Sequence, residues 1–248
     1  MKNIVFTPIN ESASSIVSPP VPAATMIPNW YKEQEALIGD KLVLSESGTP
    51  NSTVKKCMPV LDDMTAGYLI LAPCDIVVSY DQENNSPAFS WSLDIDGQSN
   101  VAASDKTIPP VIASHSTAQI SSVPVPSWYS KFPFKFNNYY RVSTPPGYSC
   151  LFRHPSWRFD LPFFTLSGLV DTDKHPVPVN FPFLMVDKWE GIIELGTPIC
   201  QVIPFRRTEW HSSVVDGNND DGAMQYRSAT KKIFHRYKDN WREVKKWR

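Results

Sequence analysis

Glycine is scarce in this chain, with 10 Gly against 23 Pro in 248 residues. Prolines at that density interrupt helices and central strands while stiffening loops, so a helix bundle is excluded and a loop-rich β protein is expected. Cysteine is also sparse. Cys57, Cys74, Cys150 and Cys200 stand far apart, without a CxxC pair or close Cys/His spacing, which removes a zinc ribbon and leaves buried free thiols as the expected state. No window of the sequence reaches the length of a membrane span, and the N-terminus has no basic region followed by an apolar run. A soluble, cytosolic protein is therefore expected, and a virion component made in a cytosol would look the same. A net positive excess is missing as well: the net charge of -1 gives no general field for collecting nucleic-acid phosphates. His115, His154, His175 and His211 show no metal-ligand spacing and read as scattered surface or half-buried residues.

What is present suffices for one sizeable core, since 42% of residues are hydrophobic and 20% charged. The pattern divides into an arm with a short helix over residues 1–53, a β domain over 54–212, a flexible linker over 213–224 and a basic helix over 225–248. Met1 to Thr25 is Ser- and Pro-rich, and it is expected on a surface or on a neighbouring subunit. A short helix is expected over Trp30 to Ile38, anchored by Trp30 and Tyr31.

From Val54 onward, β-branched and apolar residues alternate between Gly and Pro breaks. Phe89, Trp91, Leu93 and Ile95 share one face by the period of two and read as core, with Asp96-Gly97 as a turn. Residues 97–126 read as loop, with a short strand near Ala118 to Val123. Trp128, Tyr129, Phe132, Phe134, Phe136, Tyr139 and Tyr140 offer either core and subunit packing or a stacking platform for bases; the lack of surrounding basic residues favours packing.

The C-terminal segment lacks Gly and Pro from residue 225 on and carries nine Lys/Arg against two Asp/Glu. Ile233, Tyr237, Trp241 and Val244 recur at helical spacing, predicting an amphipathic helix that docks on the body or on a partner. Its interaction residues would be Tyr237, Trp241, Lys245, Lys246, Trp247 and Arg248; a plain solvent-facing helix is the second reading, and nucleic acid or an anionic membrane are weaker alternatives. The acidic stretch Gly217 to Gly222 reads as a linker.

Five segments in the order Ala66-Gly67-Tyr68-Leu69, Thr144-Pro145-Pro146-Gly147-Tyr148, Pro155-Ser156, Gly168-Leu169-Val170-Asp171-Thr172-Asp173 and Gly196-Thr197-Pro198-Ile199-Cys200-Gln201 resemble the trimeric dUTP pyrophosphatase and dCTP deaminase superfamily. The resemblance implies an all-β, dUTPase-like β-clip, or distorted jelly-roll, barrel with an N-terminal Pro-rich arm. It also implies Asp171 as the water-activating carboxylate, Ser156 and Gln201 as nucleotide-phosphate ligands, Mg²⁺ as cofactor and a homotrimer. Several of the family's residues are replaced. The corner Tyr falls on Lys174, the Arg of the Gln turn falls on Pro198, the acid after Ala-Gly-Tyr is skipped, and no Gly-rich C-terminal arm follows. The whole chain also resembles a protein type of tailed phages that infect marine cyanobacteria.

These replacements favour a non-catalytic phage structural or interaction protein, trimeric and virion-associated, needing no cofactor and acting with itself and other phage proteins. It would be found in the host cytoplasm during infection or in the virion, without a membrane. The alternatives are a Mg²⁺-dependent deoxynucleoside triphosphate pyrophosphatase and a nucleotide-binding regulator. On its own chemistry, an Asp-x-Asp corner also serves as a turn whose carboxylates accept local N–H groups.

Overall fold

The structure is a computed structural model that describes residues 2–46, 51–93, 109–214 and 237–247. Its strands are β1 (Val5–Pro8), β2 (Val21–Pro22), β3 (Tyr68–Leu71), β4 (Ile76–Asp81), β5 (Ser86–Trp91), β6 (Ile112–Ser114) and β7 (Tyr129–Phe136). The second half adds β8 (Tyr140–Ser143), β9 (Tyr148–Arg153), β10 (Phe163–Thr165), β11 (Gly168–Val170), β12 (Phe181–Val186), β13 (Gly191–Ile193) and β14 (Pro198–Arg206). Helices are short: α1 (Glu11–Ile16), α2 (Asn29–Glu33) and α3 (Met58–Met64). The chain is mostly β, as its proline content and alternating strands require.

Among the described residues the strands form four sheets, ordered β1-β8, β10-β12-β7-β6, β11-β9-β14-β3-β2 and β13-β4-β5, rather than the closed barrel expected from the sequence. All ten pairings are antiparallel. Short strands and prolines limit how far each ladder extends. β12 shifts register between Leu184 and Val186, next to the Pro133 pairing, and β14 shifts between Pro198 and Cys200. Pro204 is tolerated inside β14 because β3 has already ended, its last pair being Val202 with Tyr68, so the missing N–H faces no partner strand there.

One core joins the sheets. Ile76 and Val78 from β4, Phe134 and Phe136 from β7, Phe152 from β9, Phe181 and Phe183 from β12 and Val202 from β14 belong to a single buried cluster. Phe136 stacks on Phe183 with ring centroids 4.0 Å apart. The aromatic run is thus packing for Phe134, Phe136, Tyr139 and Tyr140, all buried, whereas Trp128 remains exposed. Phe89, Trp91 and Leu93 pack partly buried against the core; Ile95 and the Asp96-Gly97 turn lie outside the described residues. Burial also holds three of the four thiols, Cys74, Cys150 and Cys200, as free cysteines.

Four local expectations need correction. The N-terminal arm lies on its own body: β1 pairs with β8, β2 pairs with β3, and Ala13 and Val17 fill a second buried cluster with Tyr139 and Tyr140. Its small apolar residues fit beneath bulky tyrosines, and Asn10 caps α1 by accepting from the Ala13 N–H at 2.8 Å. The helix near Trp30 stops at Glu33, leaving Ile38 exposed, although Tyr31 is buried as an anchor. Residues 117–120 form a 3₁₀ turn capped by Ser116, and the strand of this region is β6. At the C-terminus, Tyr237–Trp241 form one π-helical turn and 242–247 have no regular structure, so the helix expected to reach Arg248 does not extend past Trp241. Ion pairs and ring packing to the body take over from backbone hydrogen bonding there. Residues 215–236, including the linker stretch, lie outside the described residues, as does Arg248.

Candidate functional site

Two of the family-like turns share one sheet. Tyr148 N–H donates to Pro145 carbonyl at 3.2 Å with Gly147 at φ +83°, and Thr197 N–H donates to Glu194 carbonyl at 3.0 Å with Gly196 at φ +81°. A positive φ at the third turn position is the reason glycine stands at both. The first turn opens β9 and the second opens β14, and these strands pair directly from Gln201 with Arg153 to Arg206 with Tyr148. β11 flanks β9 on the other side, which sets the Asp171 corner against Ser149.

At that corner Asp171 and Asp173 converge on Arg207. Arg207 Nη1 lies 3.0 Å from Asp171 Oδ1, and its Nη2 lies 2.5 Å from Asp173 Oδ2. Ser149 Oγ donates to Asp171 at 2.6 Å while accepting from Arg207 Nη1 at 2.8 Å. The Gly147 N–H donates to Asp173 at 2.8 Å, tying the Pro-Pro-Gly turn to the acidic corner. Asp173 is 5% exposed and Asp171 58%. The Arg207 hydrogen bond, aided by the Gly147 N–H, holds the Asp173 carboxyl down to about 2. The Ser149 hydroxyl, followed by Arg207, lowers Asp171. A carboxylate stabilised in this way is a weak proton acceptor, whereas a general base works best with a pKa near the working pH.

Arg207 is shared by both acids, so a Mg²⁺ ion at this corner would have to compete with a guanidinium for the same carboxylates, which makes the donor set a poor fit. Among the described residues no three His, Cys, Asp or Glu side chains come together as metal ligands.

Ser156 and Gln201 meet each other instead of leading to an open pocket. Gln201 is fully buried in β14. Its Oε1 accepts from Ser156 N–H at 2.9 Å and from Ser156 Oγ at 2.7 Å. Its Nε2 donates to the carbonyls of Asp63 at 3.0 Å and Ala66 at 2.7 Å. Both donors and both acceptor positions of the amide are used. Gly67, at φ +68°, follows at once; a Cβ there would lie 2.0 Å from the Val202 carbonyl oxygen, so only glycine lets the bend before β3 approach β14 this closely.

Asp171 is not brought to this pair. Val170 is opposite Cys150 while Gln201 is opposite Arg153, three residues along β9, or about 10 Å at the rise of a strand.

Above Ser156 the chain turns outward. Trp157 adopts φ +62°, a conformation that costs a bulky L-residue roughly 1–2 kcal/mol. Its carbonyl accepts from Trp30 Nε1 at 3.2 Å, and its ring makes an edge contact with Phe159, 5.9 Å between centroids. Phe159 is 85% exposed. His154 stacks on Phe164 below, donating from Nε2 to the Arg158 carbonyl at 3.0 Å and accepting at Nδ1 from Thr165 N–H at 3.3 Å. This loop was not singled out from the sequence, where PSWRF contributes only its Pro-Ser to the family-like order.

The tail residues reach the body. Arg242 forms a two-pronged pair with Asp62 of α3, 2.7 Å at Nη2 and 3.1 Å at Nε, and Lys245 Nζ joins at 2.9 Å. Trp247 meets Tyr68 edge-on with centroids 6.3 Å apart. Tyr237 and Trp241 keep exposed surface, and Lys246 lines a surface cleft with Lys2 and Tyr148. The acidic partner of these basic residues was missed because Asp62 sits 180 positions from Arg242 in sequence.

No helix among the described residues is long and apolar enough to cross a membrane. No protein-family model, curated protein or solved structure matches this chain.

Proposed function

We propose that this protein is a non-catalytic interaction module, built for self-assembly into a trimer and for contacts within a phage particle. The observation that carries this reading is the closed network around Gln201. The groups that the family resemblance assigns to phosphate are spent on bracing an outward loop, and that loop offers an exposed Phe159 beside a half-buried Trp157. A rigid aromatic side chain on a pre-organised support is the kind of group that anchors a protein interface. The trimeric order and the virion setting rest on the resemblance of the sequence.

Sedimentation of the purified chain tests the proposal. The wild type is expected to sediment as a trimer, and Phe159→Ser as a monomer with an unchanged circular-dichroism spectrum. A wild type that remains monomeric at every concentration overturns it.

A further inference from the structure

The two ends of the described chain close over the same part of the surface. Lys2 comes from the segment before β1, Lys246 and Trp247 come from the tail, and Tyr68, Tyr148 and Pro204 lie on the strands between them. These residues line a cleft of about 530 Å³, within the range of small-molecule sites.

The cleft is one-sided in its chemistry. None of its described lining residues is acidic. Lys2 Nζ hydrogen-bonds to the Tyr148 hydroxyl and lies 4.3 Å from the centre of that ring, so one flank already holds a cation against an aromatic face. An ammonium has three donors, which leaves Lys2 able to serve an acceptor in the cleft as well. Lys246 lines the same cleft. The Trp247 indole N–H is buried and has no acceptor among the described residues. The remaining lining is mainly the Tyr68, Tyr148 and Trp247 rings with Ile4, Pro145 and Pro204, joined by the polar side chains of Asn3 and Thr144.

We infer that this cleft binds a small organic anion with a planar apolar body, such as an aryl phosphate or aryl carboxylate. Its anionic head is held between Lys2 and Lys246, and its ring lies among Tyr68, Tyr148 and Trp247. Two ammonium groups without a carboxylate select negative charge; aromatic walls select a flat body; together they reject a bare inorganic anion and a neutral ring. The cleft shares no residue with the Trp157–Phe159 loop, so this inference stands or falls separately from the assembly reading.

Calorimetric titration with phenyl phosphate, alongside inorganic phosphate and benzyl alcohol, tests it on the full chain. Phenyl phosphate is expected to bind one per chain, with both reference compounds at least about tenfold weaker, since each supplies half of the recognition. The Lys2→Gln and Lys246→Gln substitutions should each weaken phenyl phosphate by about tenfold, and Lys2→Arg should retain most of the affinity. Both positions are solvent-facing, so the variants keep the fold, checked by unchanged thermal unfolding without ligand. Phenyl phosphate should also raise the unfolding temperature of the wild type and not that of the Lys2→Gln, Lys246→Gln double variant. Three outcomes overturn the inference: no saturable heat at millimolar phenyl phosphate, equal affinity in the double variant, or inorganic phosphate binding as tightly as phenyl phosphate.

Discussion

The Gln201 amide makes four hydrogen bonds inside the protein and none to solvent, and that arithmetic decides its role. It links α3, the Ala66-Gly67 bend, β14 and the Ser156 loop with one side chain. Substituting Gln201→Leu keeps the volume but strands two donors on Ser156 and two carbonyls. Buried groups left without partners cost about 1–3 kcal/mol each, partly relieved by relaxation, so a loss of roughly 2–5 kcal/mol is expected in denaturant unfolding. A loss under about 1 kcal/mol would mean that the network is wetter than the packing indicates. The thiols follow the same logic of burial. Cys74 and Cys150 are pushed up to about 11 by desolvation, which leaves them protonated and unreactive at neutral pH.

At the scale of elements, the C-terminal segment behaves as a strap. Its hold on α3 is Asp62, 12% exposed and kept ionised first by the Arg242 hydrogen bond and then by Lys245. Removing that charge leaves two cations without their acceptor, so Asp62→Asn should free residues 242–247. Amide exchange in this stretch is expected to speed up by about tenfold or more while β7 and β12 keep their protection, and raised salt should mimic the effect partially. Unchanged exchange in the variant would show that Trp247 packing alone fastens the strap.

The acidic corner gives the sheet its own pH response. Asp173 titrates at 3.8 in its ordinary state and at about 2 when folded, so its ion pair with Arg207 stabilises the fold above about pH 4, and that contribution is lost as pH falls toward 2. His154 has the opposite charge type. Burial lowers it from 6.5, so the unfolded chain gains a proton first, and stability falls as pH drops below 6.5 through the folded value. Denaturant midpoints should therefore be flat above pH 6.5 and decline in two stages. His154→Gln should remove the upper stage and Asp173→Asn should shrink the lower one, to which the lowered carboxyls of Asp62, Asp160 and Asp171 also contribute; an acid decline insensitive to both changes would refute this assignment.

For the whole molecule, what could be read in advance depended on how local its cause was. The two glycine turns, the Asp corner and the buried alternation were legible because each is set within a few residues by φ preference or period two. Their order also placed them on adjoining strands. Closure into a barrel was not legible, since it depends on register and sheet partners that many short, proline-limited strands leave open. The N-terminal arm was misplaced because Ala13 and Val17 carry too little hydrophobicity to announce burial; Tyr139 and Tyr140 supply the rest. The bonding of the candidate site residues was hidden for a related reason. Ser156, Gln201 and Asp171 have side chains suited to phosphate and water, and only tertiary contacts reveal that other groups of the same chain already use them. Arg207, which pairs with both acids, is one Arg in a PFRR sequence with no local mark of its role.

The most direct test of this account is pyrophosphate release from each deoxynucleoside triphosphate, dUTP included, in the presence of Mg²⁺. The wild type and Asp171→Asn are expected to be indistinguishable from each other and from buffer. Release by the wild type that Asp171→Asn abolishes would contradict the structural role assigned here to the Asp171 corner and the Ser156–Gln201 pair.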